Sequence, residues 1–115
     1  MTYRNYEVLN DIFANHFQKQ IEVRIGDDVI YDGKLCLFKR RNYTFQVTLI
    51  KNGARHETEV LPIPFLITVL DDDNIELDYT IDTLTNDKTA INIIKRLKKP
   101  QKSVFYDKKA TIKFI

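Results

Sequence analysis

The sequence has little that would hold a chain together from outside its core. Its single cysteine, Cys36, excludes an internal disulfide and fits a reducing compartment or a fold that needs no crosslink. Only three glycines and three prolines argue against a linker or a low-complexity chain. No apolar run approaches the length of a membrane span, and the longest, residues 61–70, contains Pro62 and Pro64. No basic patch followed by an apolar run marks a signal peptide, so the expected setting is cytoplasmic or virion-associated.

Catalytic chemistry is equally thin. His16 and His56 are the only histidines, and with one cysteine they show no paired metal-ligand spacing. Cys36 sits among Leu35, Leu37 and Phe38, where a buried small hydrophobe is expected rather than a nucleophile. Asp71-Asp72-Asp73-Asn74 lacks the glycine and the late bidentate Glu of a calcium loop, so a solvated acidic loop is expected. Neither a dinucleotide-binding nor a P-loop glycine pattern occurs. The sequence thus predicts no enzyme, no metal site and no cofactor.

What is present is enough for one domain. The 115 residues, 43% hydrophobic and 30% charged, are globular in composition. Charge is divided unevenly. Residues 1–94 hold 10 Lys and Arg against 15 Asp and Glu, a net of −5, and residues 95–115 hold 8 against 1, a net of +7.

Tyr6, Leu9, Phe13 and Phe17, with Ile12, recur at helical spacing and predict a first helix. The period then changes to two. Ile21, Val23 and Ile25 mark a strand, Gly26-Asp27-Asp28 a turn, and Val29 to Phe38 a second strand interrupted at Asp32-Gly33, by a tight hairpin turn or, as residues 29–31 are too short for a strand of their own, a bend. Tyr43, Phe45, Val47 and Leu49 alternate with polar residues before Asn52-Gly53, a strong hairpin signal, and His56 to Leu61 returns. Pro62 and Pro64 place residues 61–65 at a sheet edge or an irregular crossing. A second hairpin is expected from Ile67 and Val69, the acidic loop, and Ile75 to Ile81. Thr85 or Asn86 reads as the N-cap of a second helix, Asp87 to Lys99, stopped by Pro100. Val104 to Tyr106 and Ala110 to Ile115 read as short strands.

The expected fold is a β-rich α+β single domain, residues 1–115. It is a small curled antiparallel sheet or partly open barrel, of SH3/Sm-like or OB-like strand pattern. Residues 5–70 supply the N-terminal helix and the barrel-like sheet. Residues 75–115 supply a hairpin strand, the basic helix and C-terminal strands.

Ile21-x-Val23-x-Ile25 followed by Gly33-x-Leu35 in a long bent strand is similar to the Sm-like barrels, over roughly residues 5–65. Where that family carries an Asp six residues after the glycine, this chain has Lys39. The family's Met-Asn pair falls on Asn42-Tyr43, and its Arg-Gly motif is replaced by Leu61-Pro62-Ile63-Pro64. The resemblance therefore implies a strand pattern and carries over no RNA-binding residue.

Three surfaces are candidates for binding. Lys95, Arg96, Lys98, Lys99 and Lys102 form a basic cluster that suits a solvated helix end, phosphate, or a protein partner. Asp71, Asp72, Asp73, Glu76 and Asp78 form an acidic counterpart, able to meet it between neighbouring copies. Lys39, Arg40, Arg41 and Tyr43 mix cations with an aromatic, as single-stranded nucleic-acid binders do.

Taken together these features point to a non-catalytic structural or assembly module. The expected partners are other protein subunits, in a homo-oligomeric ring or a larger hetero-assembly such as a bacteriophage connector or tail. The apolar Ile112, Phe114 and Ile115 favour such contact. The alternatives are an Sm-like or OB-like nucleic-acid-binding module and an acidic-surface inhibitor of a partner enzyme.

Overall fold

In the computed structural model, which describes residues 2–3, 7–42, 44–53, 55–80 and 104–115, the helical period produces one short helix. This helix, α1 (Val8–Ala14), buries Leu9 and Phe13, four residues apart on one face. Seven residues cannot sustain a helix alone in water, so packing must hold it. The Phe13 ring stacks on Phe38 at 4.5 Å and meets Phe45 and Phe114 at 5.8 and 5.6 Å. Phe17 departs from the expected apolar face. The helix ends at Ala14, the chain reverses through Gln18 (φ 73°), and Phe17 is left 41% exposed.

Eight strands follow the period of two: β1 (Thr2–Tyr3), β2 (Gln20–Ile25), β3 (Asp28–Arg40), β4 (Thr44–Lys51), β5 (Arg55–Pro62), β6 (Leu66–Asp71), β7 (Asn74–Asp78) and β8 (Lys109–Phe114). They form one sheet in the order β1-β6-β7-β8-β2-β3-β4-β5, every pair antiparallel. Among the described residues β1 and β5 do not pair with each other, so the sheet is not closed. Its inward residues nevertheless form a single cluster that includes Ile21, Leu35, Val47, Leu61, Ile67, Leu77 and Ile112. A sheet whose strands share one core in this way is curled around it.

The long strand β3 is continuous, as the bend reading predicts. Gly33 lies in it at φ 149°, and a Cβ there would stand 2.8 Å from Leu49 Cβ and 3.2 Å from the Ile50 carbonyl oxygen. Only glycine meets both conditions. Asn52 and Gly53 both have positive φ, 44° and 91°, and make the β4–β5 hairpin.

Three register shifts change which side chains face inward. The bulges leave Ile30, Cys36 and Leu70 without a cross-strand partner. Nearby, Val29, Leu37 and Leu70 emerge 44%, 54% and 53% exposed, although strict alternation would bury some of them. Cys36 is accordingly half-buried at a bulge, not enclosed in the core as expected. The expected strand at Val104–Tyr106 does not form: Val104 and Phe105 are helical, and Tyr106 and Asp107 turn the chain toward β8. Asp107 takes φ 57°, Lys108 N–H donates to the Phe105 carbonyl, and Phe105 is buried against Tyr79 at 5.4 Å. The expected second helix, Asp87 to Lys99, lies outside the described residues. Among the described residues no helix is long and apolar enough to cross a membrane.

Candidate functional site

The expected acidic surface is not one patch. Asp71 ends β6, and Asp72 and Asp73 form the exposed turn to β7. Asp71 is turned into that turn. Its Oδ1 accepts from Asp73 N–H at 2.8 Å, and Asn74 Nδ2 donates to both its oxygens at 2.8 and 3.0 Å. These bonds, led by that of Asn74, hold its carboxyl below the usual carboxylate range. Glu76 lies on the outer face of β7, 3.9 Å from Lys109 Nζ. Asp78 is only 7% exposed, and its Oδ1 accepts from the Thr80 N–H and hydroxyl at 2.8 and 2.6 Å. It ends β7 with its carboxylate largely withdrawn from solvent.

The acidic turn is tied to α1 and β8. His16 places Nδ1 2.6 Å from the Ile12 carbonyl oxygen and Nε2 3.1 Å from that of Asp72, with its ring stacked on Phe114 at 4.0 Å. Beside the turn runs a groove of about 570 Å³ lined by Lys19, Asp71, Asp73, Lys113 and Ile115 among others. With Asp72 it brings three carboxylates and two lysines to one groove.

The first basic cluster is divided by strand alternation. Lys39 pairs with Gln46 and Arg40 with the buried Phe45, so the two side chains leave β3 on opposite faces. Arg41 is exposed past the strand's end, where its N–H donates to the Thr44 carbonyl. Tyr43, Lys95, Arg96, Lys98, Lys99 and Lys102 lie outside the described residues. Among the described residues no three His, Cys, Asp or Glu are grouped to hold a metal ion.

A group of interacting charges lies elsewhere, on β5 and the strands beside it. β5 pairs with β4 along its whole length without a register shift, from Thr44↔Pro62 to Lys51↔Arg55. Among the described residues it has no second neighbour. Such an edge leaves every other N–H and C=O of the strand available to another chain. On the face shared with buried Val47 and Leu49, it carries Glu59 and Glu57.

The two carboxylates differ. Glu57 is held by Lys51 Nζ at 3.0 Å on one oxygen and by Arg55 at 2.5 Å on the other, and Lys51 stands 3.9 Å from Asp32. The Lys51 hydrogen bond, with Arg55 adding its charge, keeps the Glu57 carboxyl below its ordinary range. The same bond raises the Lys51 ammonium. Partial burial pushes Glu59 upward, and the adjacent Glu57 adds to the effect. Tyr31, on β3, is raised by its own burial and by the charge of Glu59.

Sequence reasoning identified the β5 strand but not this cluster. The signal was legible in Arg55-x-Glu57-x-Glu59, whose spacing puts three charges on one strand face. The approach of Lys51 and Tyr31 from neighbouring strands was not. No protein-family model, curated protein or solved structure matches the chain.

Proposed function

We propose that this chain is a non-catalytic assembly module, a subunit of a ring or larger multi-protein complex whose copies join head to tail along sheet edges. The observation that carries this reading is β5, an eight-residue edge in regular register, with no bulge and no second neighbour among the described residues. Natural sheets blunt exposed edges with short strands, bulges, prolines or charged side chains; β5 is long and regular and carries Arg55, Glu57 and Glu59. Here a proline appears only at the last position, Pro62. Backbone pairing along such an edge supplies affinity, and the flanking side chains supply selectivity.

The sheet order ends at β5 on one side and β1 on the other. Addition of one copy's β5 to the next copy's β1 edge joins unlike surfaces, and a heterologous contact of this kind closes into a ring or runs on as a filament. The exposed acidic turn, Asp72 and Asp73, and the basic run of Lys95, Arg96, Lys98, Lys99 and Lys102 provide opposite charges for such a contact.

Light scattering of the purified chain at low and high salt, with absorbance for nucleic acid, tests the reading. A multi-subunit particle free of nucleic acid is expected. Reversing Asp72 and Asp73 to Lys should weaken it, and also reversing Lys98 and Lys99 to Glu should partly restore it. A salt-independent monomer, or a monomer that carries nucleic acid, would overturn the reading.

A further inference from the structure

His16 stands where the end of α1, the acidic β6–β7 turn and β8 come together, and both of its ring nitrogens face carbonyl oxygens. The helix breaks its pattern at this point. The His16 N–H donates to the Phe13 carbonyl rather than to that of Ile12, and the Ile12 carbonyl oxygen takes ring Nδ1 instead, at 2.6 Å. On the other side of the ring, Nε2 lies 3.1 Å from the Asp72 carbonyl oxygen. The next carbonyl of the same turn is held by β8, where the Phe114 N–H donates to Asp73 at 2.7 Å. The His16 ring itself stacks on Phe114 at 4.0 Å.

A neutral imidazole has one N–H and one lone pair, so it can donate to only one of two carbonyls. Its other nitrogen then sets a lone pair against a carbonyl oxygen. Only the imidazolium, with a proton on each nitrogen, donates to both. The aromatic face beside the ring favours the same charged form. The two contacts are unequal. The Ile12 bond is the shorter and joins residues four apart, whereas the Asp72 bond is longer, exposed, and joins residues 56 apart. When one must go, it is the Asp72 bond.

We propose that His16 is a pH-sensitive latch, which ties the end of α1 to the β6–β7 turn when both ring nitrogens carry protons and releases the turn when the ring is neutral. The charged groups around it are Asp11 on α1, Lys19 just past the helix, Asp71, Asp72 and Asp73 at the turn, and Lys113 on β8. The carboxylates favour the charged ring and the two lysines oppose it. Asp71 stays ionised in mild acid, because the Asn74 hydrogen bond holds its carboxyl below the usual range. Among these side-chain types, only histidine ordinarily changes charge between about pH 5 and 8. The turn is therefore fastened on the acid side of that window and free on its basic side. It lines the groove together with Lys19 and Lys113, so the latch sets the shape of that groove. All contacts of the latch lie within one chain, and it operates with or without assembly.

Nuclear magnetic resonance of the purified chain from about pH 5 to 8 tests the latch. Long-range proton–nitrogen spectra of the imidazole show which ring nitrogens carry protons. The Asp73 amide nitrogen shares a peptide unit with the Asp72 carbonyl, and so reports whether that carbonyl is engaged. At the acid end both His16 nitrogens should be protonated, and at the basic end Nδ1 alone. The Asp73 amide should move with the same midpoint as the ring. That movement should be lost in His16→Phe, which keeps an aromatic ring against Phe114, and in His16→Gln, which keeps a donor that does not titrate. If one variant fails to fold, the other decides. In His56→Gln, at an exposed position on β5, the movement should persist. A neutral ring protonated on Nε2, an Asp73 amide that titrates apart from the ring, or a movement that survives the loss of His16 would refute the latch.

Discussion

β4 and β5 are paired residue for residue, yet they lead opposite lives. On their common inward face β4 presents Phe45, Val47 and Leu49, all buried, while β5 opposes them with Leu61, Glu59 and Glu57. The apolar layer therefore runs out within one strand's width. Only the end of β5 belongs to the core, where Leu61 is buried and the Tyr79 hydroxyl donates to the Pro62 carbonyl at 2.6 Å. The contrast teaches that pairing alone does not make a strand part of the core. A strand with neighbours on both sides and an apolar inward face is fixed by packing, whereas an edge strand is free to carry charge.

Substitutions along the two strands can break or sharpen that contrast. Phe45→Ala should have the largest effect, with loss of about 3–5 kcal/mol in a denaturant titration, because it empties a site that touches Phe13 and Phe38. Gly33→Ala should cost about 2–4 kcal/mol, since the new Cβ meets Leu49 and the backbone is in the positive-φ region. A smaller loss would mean that β4 can retreat from β3. Tyr79→Phe should cost about 1 kcal/mol by removing the hydrogen bond that pins the end of β5. Thr58→Ala, on the exposed outer side of β5, should change stability by no more than about 0.5 kcal/mol. If Thr58→Ala proved as costly as Phe45→Ala, β5 would be no edge.

Much of the fold was legible because its local signals agree with one another. Asn52-Gly53 marked a hairpin, Asp32-Gly33 marked a bend in one long strand, and Phe45, Val47 and Leu49 marked a buried face. Failures cluster where the chain leaves regular period. The helical spacing extends to Phe17, but the helix ends three residues earlier, because the reversal through Gln18 has no strong sequence mark. The apolar neighbours of Cys36 predict its burial, and a bulge shifts the phase of β3 at that point. Asp78 read as one of an acidic series, yet Thr80 takes its carboxylate at the end of β7.

The sequence by itself determined the class of the protein. Hydrophobic periods of two and of three to four residues, with turn residues, act over a few neighbours, and these dictate strands, hairpins and an N-terminal helix. Tertiary structure alone decided which strands became edges. β8 fills the space between β7 and β2, although its sequence lies far from both, and among the described residues β1 and β5 stand at the ends. Strand neighbours separated by long stretches of chain are chosen by the packing of the whole core, and so too is the meeting of Glu57, Glu59, Lys51 and Tyr31. No local pattern encodes either, because each depends on distant residues being buried at once.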